Sequence, residues 1–251
     1  MNKWEENLIK IDPYVPGEQP KLRDIIKLNT NENPYPPAPG VIEAIKNFDP
    51  DRLRLYPNTT GAPIVKALSK YYGIEEDRIF VGVGSDDVLA TAFRAFFNSE
   101  KPVLFADITY SFYKILAKFH GVDYIPVPLK NFRVDPSYYK DVKGRTIFIA
   151  NPNAPTSLAM SLSEIEEILT SNPESLVVID EAYVDFGAES AVTLLPKYSN
   201  LVITRTFSKS RSLAGARLGW CMTSEEITKD IKDIKNTLTP YNINSMTQAA
   251  G

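Results

Sequence analysis

The chain of 251 residues contains one cysteine, Cys221, and one histidine, His120. A single cysteine cannot form an internal disulfide, so stabilisation by disulfides is excluded and a reducing cytoplasm is the expected compartment. One cysteine and one histidine are also too few to build a zinc site from these ligands, and we expect no metal.

The chain also lacks an excess of positive charge and long apolar segments. The formal net charge is −3, so no broad cationic surface is available, and we expect neither nucleic acid nor an anionic membrane as a partner. The longest apolar runs, such as residues 176–179, are too short to span a bilayer. The first residues include acids and no apolar segment, so we do not expect a secretory signal. The length suits one large domain with a sizeable core.

The prolines suggest where this domain begins. Pro13, Pro16 and Pro20 lie in a stretch without regular periodicity, and proline favours extended or turning backbone. We therefore expect residues 1–30 to form an N-terminal arm and residues 31–251 to form the large domain. Residues 245–250 have a helical composition without a stop signal before Gly251. We expect a further domain C-terminal to this point.

Apolar strands alternate with helices along the large domain. Strands are predicted at 79–81, 102–105, 124–127, 146–150, 176–179 and 201–205, and helices at 42–48, 60–72, 88–96, 111–119, 163–169 and 225–235. Almost wholly apolar strands separated by helices predict an α/β fold, a three-layer α/β/α sandwich with a mostly parallel sheet. Ser163 and Glu166 have the spacing of a capping box for the helix through Leu169.

A glycine turn follows the first strand. Residues 84–87 read GSDD and open a helix, so backbone amides of the first turn are free to bind an anion. The alternative is an ordinary strand-to-helix turn in which Ser85 or an aspartate caps the helix.

Two acids, Asp180 and Glu181, end another apolar strand. In open parallel sheets this edge is where ligands bind. A buried carboxylate there needs a positively charged partner, and the protonated nitrogen of a pyridine ring would serve. A helix cap or a salt bridge is the alternative.

A lysine follows the strand at 201–205. A partly desolvated Lys209 could form an imine, because the neutral amine is the nucleophile. Ser208 and Arg217 offer donors that suit a phosphate. The alternative is a solvated lysine beside a basic loop that includes Arg211. Together the three sites offer a phosphate seat, an acid for a ring nitrogen and a lysine, all at predicted carboxyl ends of strands.

These motifs carry a family resemblance. They read NENPYP at 31–36, YP at 56–57, GSDD at 84–87, NPNAPT at 151–156, DEAY at 180–183, SK at 208–209 and GARLG at 215–219. In this order they resemble the fold-type I aminotransferases, which depend on pyridoxal 5′-phosphate (PLP), and among these most resemble the histidinol-phosphate aminotransferases. The resemblance implies that residues 31–251 are the PLP-binding large domain. It also implies that the family's smaller C-terminal α+β domain, with an arginine that binds substrate, is not among these residues. If the protein ends at Gly251, we expect impaired or absent turnover, and if the chain is a fragment of a longer protein this expectation does not apply.

The resemblance implies a role for each matched residue around the cofactor ring. Lys209 would bond PLP covalently and then move the substrate proton. Asp180 would pair with the pyridine nitrogen, and Tyr183 would hydrogen-bond the ring oxygen O3′. Tyr110 would stack on the ring.

The resemblance also assigns the phosphate and substrate contacts. The phosphate would be held by the amides of Ser85 and Asp86, the Ser208 hydroxyl, Arg217, and Tyr56 of a neighbouring subunit. Sharing Tyr56 between subunits implies a homodimer. Tyr14 and Asn33 would lie near the substrate.

One position departs from the family pattern. Ala154 stands where the family usually has the asparagine of Asn-Pro-Thr-Gly, whose side chain donates to O3′. Asn153 or Asn151 could take over this role, or Tyr183 could act alone.

The implied reaction is transamination of L-histidinol phosphate with 2-oxoglutarate, a step of histidine biosynthesis that gives imidazole-acetol phosphate and glutamate. An aromatic amino-acid aminotransferase or a threonine-phosphate decarboxylase of the same fold is an alternative. A non-catalytic fragment that keeps the fold is another.

Overall fold

The computed structural model describes residues 3–8, 10–18, 25–97 and 100–251. In the predicted arm, a short 3₁₀ helix covers Lys3–Asn7, and residues 10–18 and 25–30 contain no helix or strand. Pro20, one of the prolines on which the arm was predicted, lies outside the described residues.

Seven strands form one sheet. They are β1 (Ile79–Gly82), β2 (Val103–Ala106), β3 (Tyr124–Val127), β4 (Ile147–Ala150), β5 (Val177–Asp180), β6 (Leu201–Thr206) and β7 (Gly219–Met222). Their order is β1-β7-β6-β5-β4-β2-β3. Only β7 runs against its neighbours, β1 and β6. The prediction of a mostly parallel sheet is therefore confirmed, and β7 is the strand that the periodicity did not reveal.

Seven α-helices accompany the sheet in the described residues. They are α1 (Pro39–Lys46), α2 (Ala62–Tyr72), α3 (Gly84–Phe96), α4 (Phe112–Phe119), α5 (Leu162–Ser171), α6 (Glu225–Leu238) and α7 (Ser245–Ala250). Helix α2 ends at Gly73, whose φ of +66° lies in the left-handed region that favours glycine. In the part of the chain described, every helix is too short or too polar to cross a lipid bilayer.

The strands bury both faces of the sheet. Along β4, Ile147 and Ile149 belong to one core cluster, while Phe148 belongs to the other. Because side chains alternate between the faces of a strand, each cluster fills the space between the sheet and one layer of helices. Helices α2 and α5 contribute to the first cluster and α3, α4 and α6 to the second. This arrangement confirms the three-layer α/β/α prediction.

The predicted capping box was wrong by two residues. Helix α5 is capped by Ser161, whose hydroxyl accepts from the amide of Glu164, while the Glu164 carboxylate accepts from the Ser161 amide. The sequence contains the Ser-x-x-Glu spacing twice, at 161–164 and 163–166. Leu162, in the first turn of α5, packs against the buried core. This contact explains why the helix begins earlier and Ser163 lies inside it.

Candidate active site

A cavity of about 400 Å³ lies at the carboxyl edge of the sheet. Ala150, Asp180 and Thr206 are the last residues of β4, β5 and β6, and all three line it. Residues from the sheet edge, the N-terminus of α3, the loop before β7 and the segment at 30–32 therefore meet in one space. A cavity at this edge of an open parallel sheet is the expected place for a ligand.

Most of the predicted site residues reach this cavity. The predicted residues that line it are Ser85, Asp86, Tyr110, Asp180, Tyr183, Ser208, Lys209 and Arg217. The remaining predicted residues, Tyr14, Asn33, Tyr56 and Asn153, are not among its lining. The fold thus gathers residues separated by up to 132 positions, from 85 to 217, around one space.

An anion seat forms where α3 meets Arg217. A Cβ atom at Gly84 would lie only 2.6 Å from the Arg217 guanidinium in its present position. The φ of +83° at Gly84 favours glycine. Gly219 is required for a different reason, because a Cβ atom there would lie 2.4 Å from the backbone amide nitrogen of Ser85. The two glycines bring a cationic fork to the N-terminus of a helix, a combination that suits a phosphate.

The Ser208 hydroxyl is prepared to donate to the same anion. Thr206 Oγ1 donates to Ser208 Oγ at 2.9 Å, and the Ser208 amide donates back to Thr206 Oγ1 at 3.1 Å. Since the Ser208 oxygen accepts in this pair, its own hydrogen remains available.

A carboxylate from α3 also lies beside the anion seat. The carboxylate of Asp86 lies 3.5 Å from the Arg217 guanidinium and accepts from the Tyr110 hydroxyl at 3.1 Å. In this conformation Asp86 therefore serves as the counter-ion of Arg217 and fixes the hydroxyl of Tyr110.

Asp180 is a buried acid that no cation neutralises among the described residues. Its side chain accepts from the Tyr113 hydroxyl at 2.7 Å and from the Ala182 amide at 3.2 Å. Burial raises the pKa of Asp180 to about 6, against the opposing effect of the Tyr113 hydrogen bond. A buried carboxylate that lacks a positive partner and lines a cavity fits a cationic ring nitrogen as its ligand.

Lys209 lies in the loop after β6, under the segment that leads out of the arm. Its amine donates to the backbone carbonyls of Thr30 at 3.1 Å and Asn31 at 3.4 Å. The amine also lies 5.5 Å from the centre of the Tyr183 ring. Asn33 donates to the backbone carbonyl of Lys209 at 3.1 Å. Residues 30–33 therefore contact both the side chain and the backbone of Lys209.

A charged network beneath this loop holds Lys209 in place. Asp185 accepts hydrogen bonds from Arg205, Ser210 and, at 2.8 Å, Arg211. Ser210 is the next residue after Lys209, and Arg205 is buried in β6. The lysine loop is thereby bound to the loop after β5, which carries Tyr183.

Asn151 and Asn153, the candidates to replace the missing donor to O3′, hydrogen-bond to neighbouring segments of the chain instead. The Asn153 amide donates to the carbonyl of Ile108 at 2.9 Å, and its oxygen accepts from Thr109 at 2.7 Å. Asn151 accepts from the amide of Met160 at 2.7 Å. Ala154 lines the cavity without offering a donor. Of the candidates for the O3′ contact, the structure places Tyr183 in the cavity and keeps Asn151 and Asn153 out of its lining.

Three other predicted residues, Asn33, Tyr14 and Tyr56, also lie outside the cavity lining. Asn33 borders a smaller adjoining recess together with Lys209. Burial and the carboxylate of Asp86 raise the pKa of Tyr110 well above its usual value, and Tyr14 lies close enough to add a smaller contribution. Tyr56 is 80% exposed and stacks on Tyr241 with ring centres 4.4 Å apart. An exposed tyrosine away from its own cavity is available to a neighbouring molecule.

Sequence reasoning missed two residues that support the site, Tyr113 and Asp185. Tyr113 reads as a core aromatic on an amphipathic helix, and Asp185 reads as a loop acid. A partial signal existed, because both lie close in sequence to residues that were singled out, Tyr110 and Tyr183.

A lysine, a buried acid and an anion seat in one cavity define a class of α/β enzymes that hold a phosphorylated ring beside a reactive amine. The model of the family described as aminotransferase class I and II matches residues 23–251. The chain therefore belongs to the aminotransferase class I and II family, which confirms the resemblance drawn from the motifs.

Two curated relatives show which members of this family the chain resembles in sequence. The chain is 48% identical over 254 residues to a histidinol-phosphate aminotransferase of Acinetobacter baumannii (strain SDF), covering 100% of this chain and 70% of the relative. It is 50% identical over 249 residues to a histidinol-phosphate aminotransferase of Lactococcus lactis subsp. cremoris (strain MG1363), covering 99% of this chain and 70% of the relative.

A solved structure supports the fold. The crystal structure of histidinol-phosphate aminotransferase from Sinorhizobium meliloti, in complex with pyridoxal 5′-phosphate, matches with a TM-score of 0.80 and 24% identity. The match covers 88% of this chain and 61% of that chain. At this identity the likeness concerns the fold, and this chain spans less than two thirds of the solved one.

Proposed function

We propose that this protein is a PLP-dependent transaminase that takes the amino group of L-histidinol phosphate and passes it to 2-oxoglutarate. The products are imidazole-acetol phosphate and glutamate, and the reaction belongs to histidine biosynthesis. The observation that carries the proposal is that Lys209, Asp180 and Arg217 line one cavity. The names of relatives at 48% and 50% identity support the amino donor.

The residues present fit PLP. Asp180 is buried without a cationic partner in the described chain, and Arg217 approaches the N-terminus of α3 over Gly84. A ring that carries a protonated nitrogen and a phosphate satisfies both groups. The cavity, at about 400 Å³, is within the usual range for a cofactor of this size.

Each residue has a distinct task. When bound, PLP supplies the electron sink that allows the hydrogen on the amino-bearing carbon to leave as a proton. Lys209 would hold PLP through its amine and, as a free amine, would carry this proton as a general base and acid. Asp180 would keep the ring nitrogen protonated, and Arg217 with Ser208 would anchor the phosphate. Tyr183 would donate to the ring oxygen in place of the missing asparagine.

We further propose that two copies share their sites. Tyr56 is exposed and lies outside its own cavity, which fits a residue that reaches the phosphate seat of a partner copy. A homodimer is the simplest assembly with this property, and analytical ultracentrifugation tests it.

The direct test is the visible absorption of the protein after incubation with PLP. We expect a band from the covalent link to Lys209, and its complete loss in Lys209→Ala. Lys229→Ala is the matched control, because Lys229 is an exposed lysine paired with Asp233 on α6, and it should keep the band. An unchanged spectrum in Lys209→Ala would contradict the assignment.

The substrate is tested separately. The PLP-loaded protein is mixed with L-histidinol phosphate, phenylalanine or O-phosphothreonine, and the change in the visible band is followed before 2-oxoglutarate is added. The fastest change is expected with L-histidinol phosphate, and 2-oxoglutarate should restore the band. Preference for phenylalanine, or release of carbon dioxide from O-phosphothreonine, would favour one of the two enzymatic alternatives. A stable band that no substrate changes would favour the non-catalytic alternative.

A further inference from the structure

Tyr113 lies in the first turn of α4 and is fully buried, with an exposed fraction of 0%. Its ring is surrounded by the rings of Phe105, Tyr110 and Phe148, with ring centres 5.5 to 6.0 Å away. Its hydroxyl donates to Asp180 at 2.7 Å. A tyrosine in an aromatic core thus directs its one polar atom at the acid of the candidate site.

The two oxygens of Asp180 have separate donors. Oδ1 accepts from the Ala182 amide at 3.2 Å, and Oδ2 accepts from the Tyr113 hydroxyl at 2.7 Å. Donors on both oxygens fix the plane of the carboxyl group. The shorter bond is in the range of charge-assisted hydrogen bonds between a hydroxyl and a carboxylate. A phenol in this position stabilises the ionised form of the acid.

We propose that Tyr113 is a positioning residue, whose hydroxyl keeps Asp180 ionised and fixed in orientation so that Asp180 can hold the protonated ring nitrogen of PLP. The inference rests on the proposed function, since it assigns the ring nitrogen to Asp180. Tyr113 is not among the residues to which the family resemblance assigned a role.

Few other groups can take over this task. Among the described residues, the titratable or charged groups that line the cavity with Asp180 are Glu32 just after the arm, Asp86 from α3, Tyr110 before α4, Tyr183 after β5, Lys209 after β6 and Arg217 before β7. Burial and the charge of Asp86 both raise the pKa of Asp180, to about 6, and the Tyr113 hydrogen bond is the largest effect that lowers it. Loss of this one donor therefore shifts Asp180 toward its neutral form.

The test is Tyr113→Phe, which removes the hydroxyl and keeps the ring. The protein is loaded with PLP labelled with ¹⁵N in the ring, and the ring nitrogen is titrated by NMR. We expect the ring nitrogen to lose its proton about one pH unit lower than in the wild type, and PLP to bind roughly tenfold more weakly.

Tyr139→Phe is the matched control. Tyr139 is 1% exposed, and its hydroxyl has no hydrogen-bond partner in the described chain. This variant also deletes a buried hydroxyl, but in the core cluster on the other face of the sheet and outside the cavity lining, and should leave both the titration and the affinity unchanged. If Tyr113→Phe does not fold, Tyr113→Met replaces it in the same experiment, since methionine fills the space without a donor.

Two results would overturn the inference. One is a Tyr113 variant whose ring nitrogen titrates as in the wild type. The other is an equal shift in Tyr139→Phe. Failure of the proposed function looks different, because the wild-type protein itself would then form no visible band with PLP.

Discussion

Asp180 and Glu181 are neighbours in the chain, and both are buried, with exposed fractions of 5% and 1%. Successive residues at the end of a strand point to opposite faces of a sheet. Asp180 contacts Tyr113 of α4 and lines the cavity. Glu181 instead contacts Ser190 and Arg205. One sheet edge therefore places two identical functional groups in two different surroundings.

Burial raises the pKa of both acids, Asp180 to about 6 and Glu181 to about 7. The difference lies in the partners that oppose this burial. Glu181 accepts from the Ser190 hydroxyl at 2.7 Å and from the Ala191 amide at 2.6 Å, and it lies 3.5 Å from the buried Arg205. Asp180 has only neutral donors, the Tyr113 hydroxyl, the Ala182 amide and, more weakly, the Thr204 hydroxyl, and it has no ion pair among the described residues. The protein itself supplies the cation for Glu181, whereas Asp180 requires a cationic ligand. An acid that the protein leaves uncompensated beside a cavity is a sign of function.

The largest effect on stability is expected from Glu181→Ala. The substitution leaves the guanidinium of Arg205 buried, with Asp185 as its one charged partner in the described part of the chain. At pH 8 we expect a loss of about 3 kcal/mol in the free energy of unfolding, near the lower limit for breaking a buried ion pair. Urea denaturation measures it.

The comparison also predicts what Glu181→Ala does not change. The folded fraction of the variant should still form the visible band with PLP, because Glu181 does not line the cavity. If Glu181→Ala kept normal stability but lost the band, Glu181 rather than Asp180 would be the acid that PLP requires.

Asp180→Asn should have the opposite effects on PLP binding and on stability from those of Glu181→Ala. We expect PLP to bind about 10- to 100-fold more weakly, because a hydrogen bond to a charged partner is lost. The cofactor-free variant, however, should be more stable than the wild type at pH 8. Equilibrium titration with PLP measures the first effect and urea denaturation the second.

The pH dependence follows from the direction of the pKa shift. Burial raises the pKa of Asp180 in the folded chain to about 6, above its usual value of 3.8. The folded state therefore holds this proton more tightly than the unfolded state, and stability falls as pH rises through this interval. Relative to the wild type, Asp180→Asn should gain about 1–3 kcal/mol between pH 4 and pH 8. A stability difference between Asp180→Asn and the wild type that stays constant with pH would contradict the raised pKa of Asp180.

The smallest effect is expected from Ser190→Ala, which removes one neutral donor from Glu181 and leaves Arg205 in place. We expect a loss of about 1–2 kcal/mol in the free energy of unfolding and no change in PLP affinity. Thermal denaturation and a PLP titration check the two parts. Weaker PLP binding in this variant would mean that the Glu181 side is coupled to the cavity.

The elements of the fold were largely predictable from local pattern. In the described residues, the apolar runs and the helical patterns located six of the seven strands and the seven α-helices, because burial on both faces leaves a continuous apolar signal. Strand β7 was missed because it is only four residues long, Gly219–Met222, and begins at the last residue of the GARLG motif. The capping box was misplaced because two identical spacings compete, and packing of Leu162 decided between them.

The residues of the site were predictable only where a motif carries them. Lys209, Asp180 and Arg217 each belong to a motif, and all three line the cavity. Tyr113 and Asp185 act through contacts with residues 67 and 20–26 positions away. Such contacts depend on how the helices and loops meet at the sheet edge, which local periodicity does not contain.

The sequence by itself determined the alternation of strands and helices, the family and the order of the motifs along the chain, because these are properties of local composition. Only the tertiary structure decided which of two adjacent acids receives an arginine and which receives a tyrosine and an open cavity. The reason is geometric: strand alternation sends neighbouring side chains to opposite faces, and each meets whatever the packing of distant elements has placed there.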